Sequence, residues 1–190
     1  MMKKNGKRVM RAGNMLNPEP AVMVSCGETI DEYNIITIGW TGTICSDPPM
    51  LSVSIRPERF SHGIIEETGE FVVNLVNEDL VRACDWCGVR SGKKFDKFAE
   101  MKLTEFQSEY METPAIAESP VNLYCKVKKT ERLGSHDMYI AEIIGVTVDG
   151  KYMDGDGKFD LDAANLVAYS HGDYMSLGDK LGSFGFSVKK

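Results

Sequence analysis

The sequence predicts one mainly β domain, a small barrel edged by short helices, and three observations predict it. Apolar residues alternate with small or polar ones at a period of two over several segments, as strands with one buried face require. The helical patterns between those segments are short and do not alternate regularly with strands, which argues against a doubly wound parallel sheet. The chain has 190 residues, 43% hydrophobic and 26% charged, enough for one well-buried core of ordinary globular composition.

Each element follows in order. The arm up to residue 17 is polar, and Asn17-Pro18 and Pro20 punctuate its end. "AVMVSC", "NIITIGWTGTIC" and "MLSVSIR" then read as consecutive antiparallel strands, the last two joined across Ser46 to Pro49. "SHGIIEETG" reads as a short helix with Ser61 as N-cap and Gly69 in the C-terminal capping position. "FVVNLV" is a strand, and "NEDLVRACDWCG" is a second helix capped by Asn77 and stopped at Gly88. The pattern loosens from Gly88 to Pro120. It returns as a long hairpin, "VNLYCKVKKTERL" and "MYIAEIIGVTVD", turning at Gly134, Ser135 and His136. A final strand, "LVAYS", leads into a Gly- and Tyr-containing tail over residues 172–190, and no internal repeat or low-complexity tract interrupts the single domain.

Charge and cysteine usage exclude several functions. A net charge of -6 and a pI near 5.2 argue against broad binding to nucleic acid or an anionic membrane. Lys3, Lys4, Lys7, Arg8 and Arg11 precede no apolar stretch of signal-peptide type, and no segment has transmembrane length, so a cytoplasmic protein is expected. Five cysteines without an export signal read as reduced thiols.

One stretch raises a chemical question. In Ile36 to Pro49 the even positions Ile36, Ile38, Trp40 and Ile44 form a face suited to a core. Thr37, Gly39, Thr41, Thr43 and Cys45 opposite them are small. The next strand repeats the pattern, with Leu51, Val53 and Ile55 on one side and Ser52, Ser54 and Arg56 on the other. Short side chains let a flat ring approach the backbone, hydroxyls meet its polar edge, and an arginine matches a phosphate bidentately. A solvated face rich in Thr and Ser has the same pattern. Arg59 follows, then the helix start at Ser61 and His62, where free amides and the dipole favour an anion; a surface turn with solvated arginines is the alternative.

Other motifs weigh less. The loop "SGKKFDKF" brings three lysines and two phenylalanines together, as a solvated charge run also does. Cys84 and Cys87 form a single C-x-x-C inside a helix, on one face with Leu80, which fits core packing better than redox or metal chemistry. "DGDGKFDLD" fails as a calcium loop because its sixth position is Phe159 and its twelfth Asn165. No metal site is expected. His136 in its tight turn is either a solvated residue or one that bonds or protonates a ligand at a sheet edge. Dinucleotide-fold, P-loop, serine-hydrolase and zincin fingerprints are all absent from the sequence.

Taken together, "NIITIGWTGTICSDPPMLSVSIRPERFSHGIIEETGEFVVNLV", "SGKKFDKF" and "GSHDMYIAEIIGV" resemble the flavin reductase-like proteins with the FMN-binding split barrel, and among them the flavoredoxin-like branch, from about residue 17 onward. The resemblance implies a homodimeric split β-barrel with one non-covalent FMN per subunit. It places the isoalloxazine and ribityl chain against Trp40, Thr41, Gly42 and Thr43, and the phosphate near Ser54, Arg56, Ser61 and His62. It also implies that Ser91, Lys97 and Phe98 close over the cofactor and that His136 projects toward the flavin or nicotinamide as the candidate catalytic residue. The expected activity is oxidoreductase, with NAD(P)H or a reduced protein as donor. A non-enzymatic FMN electron carrier is the alternative, and a barrel binding some other ligand is a third. Pro57 departs from relatives that carry a basic residue there, and the tail resembles the branch only loosely, with dimer contacts its expected role.

Overall fold

The computed structural model describes residues 6–188. In chain order its elements are β1 (Glu19–Pro20), β2 (Val22–Cys26), β3 (Asn34–Ile38), β4 (Thr41–Ser46), β5 (Pro49–Ile55), α1 (Phe60–Thr68) and β6 (Glu70–Leu75). There follow α2 (Val81–Val89), α3 (Lys97–Met101), β7 (Glu105–Phe106), β8 (Ala115–Ile116), β9 (Val121–Arg132), β10 (Asp137–Val148), β11 (Val167–Ser170) and β12 (Asp173–Ser176). Seven strands form one antiparallel sheet in the order β3-β2-β6-β9-β10-β5-β4. Its two end strands, β3 and β4, are neighbours in sequence. The sheet curls until β3 also approaches β5, which leaves a half-barrel with a seam between its ends.

The curl puts one apolar face inside. Val22, Val24, Ile36, Ile38, Leu51, Val53, Ile55, Phe71 and Tyr139 fill the interior, and Ile65 of α1 plugs it. Burying a side chain the size of Ile65 contributes roughly 1.5–3 kcal/mol. The outer face of β2 and β3 is covered too: Met23 and Ile35 pack against Ala83, Cys84 and Cys87 of α2, Phe98 of α3 and Val167 of β11. Every residue of β2 is therefore buried, and "VMVSC" lacks the polar alternation of a one-sided strand. Cys84 and Cys87 are core residues, and all five cysteines are free thiols.

The observed elements differ from the sequence reading at several points. Asn34 to Cys45 is two strands, broken at the Gly39-Trp40 bend, where Trp40 O accepts from Ser54 N at 2.9 Å. The break carries the chain from one end of the sheet to the other, so the alternation of β3 does not continue through it. Trp40 and Ile44, expected on the core face, are 39% and 49% exposed. Arg59, not Ser61, is the cap of α1, and Ser61 lies buried within the first turn. Gly69 ends α1 in the left-handed region at φ 67°, as expected of a C-terminal glycine. Gly88 sits inside α2, where a Cβ would come 3.1 Å from the Thr37 side chain; close packing explains the glycine. The stretch read as loose contains α3, capped by the Asp96 carboxylate accepting from Ala99 N. The segment read as tail contributes β12, which pairs with β11 across a turn where His171 and Gly172 both have positive φ.

Candidate functional site

The seam of the half-barrel opens into a chain of connected depressions. The first, a cavity of about 200 Å³, is walled by Ile36 and Ile38 of β3, by the Gly39-Trp40 bend, by Ser54 of β5 and by Arg56 and His136. Its far wall is the small sheet β1-β11-β12, which contributes Glu19, Tyr169 and Tyr174. The Trp40 and His136 rings pack 4.3 Å apart at 46°. The bend that spoiled the alternation is what turns the indole onto the imidazole. Burial, reinforced by the positive charge of Arg56, lowers the His136 pKa below the ordinary 6.5, which favours the uncharged ring.

Past Ile36 and Arg59 lies a second cavity, about 250 Å³, lined by Asn34, Arg59, Ser61, Arg90, Ser91 and Lys97 among others. It holds three cationic side chains, and among the described residues none of Arg59, Arg90 and Lys97 has a carboxylate within 4.0 Å. Lys97 is 3% exposed, and its Nζ donates to the carbonyls of Ile35 at 2.5 Å and Cys87 at 2.7 Å. Desolvation lowers its pKa below 10.5. A buried ammonium held only by carbonyls leaves the local charge uncompensated. The Asn34 Oδ1 atom in the same wall is buried without a hydrogen-bond partner.

On the other side of Trp40 a groove of about 760 Å³ runs over Thr41, Gly42, Thr43, Ser52 and Ser54 beneath Met15, Leu16 and Pro18 of the arm. This is the small-residue face noted in the sequence. It joins the first cavity through Gly39, Trp40 and Ser54.

Nine of the twelve residues singled out from the sequence line this run: Trp40, Thr41, Gly42, Thr43, Ser54, Arg56, Ser61, Ser91 and His136. Lys97 lines it as well, with its ammonium engaged by two carbonyls. The other two lie elsewhere. Phe98 is 4% exposed in the outer core, edge-on to Tyr33, because α3 turns it inward beside α2. His62 borders a separate depression beyond Arg59, and its ring is engaged by Asp137.

Sequence reasoning missed Asn34, Glu19, Arg90, Tyr169 and Tyr174. The two tyrosines had a readable signal, since "YSHGDY" is a hairpin whose His-Gly turn makes its flanking tyrosines partners, and their rings lie 5.3 Å apart. Asn34 and Glu19 carry no local signal. Their roles come from segments that meet only in the fold.

Comparison with known proteins bears on the family and the fold. Residues 15–178 match the family described as Flavin reductase like domain. Flavoredoxin of Desulfovibrio vulgaris (Miyazaki F) superposes with a TM-score of 0.88 at 28% identity, covering 96% of this chain and 100% of that one. Flavoredoxin from Methanosarcina acetivorans superposes with a TM-score of 0.85 at 26% identity, over 96% and 100% of the two chains. An uncharacterised protein of Archaeoglobus fulgidus is 32% identical over 126 residues, which is 66% of this chain and 71% of that one.

Proposed function

The chain belongs to the flavin reductase like family, and from that premise we propose that it is an FMN-dependent oxidoreductase that takes electrons from NAD(P)H or a reduced protein and passes them to an acceptor. The observation that carries this reading is the continuity of the seam, from the small-residue groove past the Trp40-His136 pair to a cavity with three cations that have no carboxylate partner among the described residues.

The residues present fit the cofactor. Arg59, Arg90 and the Ser91 hydroxyl are donors suited to a phosphate dianion, and the start of α1 adds backbone amides and the positive end of its dipole. Gly39, Gly42 and Thr41 leave room for a planar ring against the backbone. Bound flavin supplies the redox chemistry, accepting two electrons and releasing them singly or in pairs. The protein holds and orients. Arg56 would counter negative charge near the seam, Trp40 would help shield the site from water, and His136 at the rim would offer a hydrogen bond or orient a donor. The exposed apolar side chains of Leu16, Leu181, Phe184 and Phe186 support assembly as a homodimer. Among the described residues no helix is long and apolar enough to cross a membrane.

The test is the near-ultraviolet and visible absorbance of purified, desalted protein reconstituted with FMN, before and after anaerobic NADH or NADPH. A retained flavin spectrum that bleaches supports the reductase. A colourless product refutes it. The likeness to two proteins named flavoredoxins favours a second reading, an FMN electron carrier with no nicotinamide reaction of its own. Its mark is a retained flavin that resists both nucleotides and is reduced by a protein donor.

A further inference from the structure

We infer that Asp137 is a positioning residue for His136, anchoring the β9-β10 turn to α1 and so holding the imidazole on Trp40; the inference rests on the reductase reading above, with His136 as the group that meets the electron donor. Leu133 to His136 form the turn, bent at Gly134 with φ 96°. Leu133 is 61% exposed, its N–H donates to His136 O at 2.9 Å, and Ser135 Oγ lies 2.9 Å from His136 Nδ1. These bonds close the turn on itself. The direction in which it projects is left to its base.

Both arms of that base are tied to one face of α1. Arg132 ends β9, and Asp137, its cross-strand partner, opens β10. On the helix, His62 and Glu66 stand one turn apart and face them. Asp137 is 5% exposed; its Oδ2 accepts from His62 Nε2 at 2.7 Å and from Arg132, whose guanidinium also reaches Glu66 at 2.7 Å. Tyr139, two residues on and so on the same face of β10, donates to His62 O at 3.4 Å. A nearly dry carboxylate accepting from a guanidinium and an imidazole is a stiff anchor. Asp137 also sits opposite Ile55 of β5, which brings His136 and Arg56 together in the wall of the first cavity. The imidazole is thus fixed from two directions, by the Trp40 ring at 4.3 Å and by the root of its own turn.

The test reads the place of the ring and its effect separately. NMR of the full-length protein, well below its Tm, gives the shift that the Trp40 ring current imposes on the His136 ring protons, defined as the part that Trp40→Leu removes. Asp137→Ala should lose most of that shift. His62→Ala should lose part of it, and His62→Gln, which restores an N–H donor to Asp137, should recover it. Flavin reduction by NADH or NADPH at equal FMN occupancy should slow about 10-fold or more in D137A, and D137A/H136A should be no slower than H136A alone. A folded D137A protein with the wild-type shift or the wild-type rate overturns the inference, as does a double variant slower than H136A. Wild-type flavin that neither nucleotide bleaches, or an H136A protein as fast as wild type, overturns the reading beneath it instead. If D137A fails to fold, the His62 pair carries the test.

Discussion

His62 Nε2 lies 2.7 Å from Asp137 Oδ2. That contact turns the imidazole away from the cationic cavity and ties α1 to the first residue of β10, directly beside His136. Arg132 joins the same carboxylate and also pairs with Glu66 at 2.7 Å. The sequence reading placed His62 with Ser61 near a phosphate because both stand at the helix start and in the segment that carries the family resemblance. On a helix, adjacent residues point about 100° apart, and here they face different partners.

The Asp137 pairing has a pH signature. The hydrogen bond from His62, followed by that from Arg132, holds the Asp137 carboxyl below its ordinary 3.8. A carboxyl lowered in the folded state stabilises the fold above that ordinary value, and the contribution is lost as pH falls through the lowered one. Asp137→Asn should therefore lower Tm at neutral pH and flatten its acid decline. A pH series of thermal melts checks this, and an unchanged acid slope counts against the pairing.

Arg59 and Arg90 should bind phosphate, not ring. Replacing either by Ala is expected to weaken FMN roughly 10- to 100-fold with little effect on riboflavin. Titration at two salt concentrations adds a check, since the loss should shrink at high salt.

His136 should titrate below 6.5 by NMR of its ring protons, and Arg56→Ala should move that midpoint upward, since Arg56 is a secondary cause of the lowering after burial. The sign for stability is that of a lowered imidazole: its contribution is present above 6.5 and is lost as pH falls below that value. His136→Ala should retain FMN while slowing flavin reduction on the order of 10²-fold. Stopped-flow reduction at equal flavin occupancy decides.

Lys97→Met should leave the Ile35 and Cys87 carbonyls without their ammonium donor. A loss of roughly 1–3 kcal/mol, or about 2–12 °C in Tm, is expected from melts of the ligand-free protein. Equal stability would mean that the ammonium is held for the ligand alone.

Much of the fold was legible because it is written in local periodicity. The alternation of Leu51, Val53 and Ile55, the Gly69 cap and the Gly134-Ser135-His136 turn each depend on a few adjacent residues. Helix α3 was hidden by the charge run around Lys93 and Lys94, and only its contact with the outer core makes Phe98 a buried residue. Trp40 was misdirected for a similar reason. A period of two predicts a side chain's face only while the strand lasts, and the bend at Gly39 ends it.

The sequence by itself determined the strands, the short helices, the small-residue face and the cluster of arginines before α1, because propensity, capping and alternation act over a few residues. The tertiary structure decided which of these meet. Curling the sheet brings β3 alongside β5, sets His136 on Trp40, and brings Asn34 within reach of both Ser61 and Gly92. Those contacts span up to about a hundred residues of chain, and no local rule encodes them; they follow from burying both faces of β2 at once.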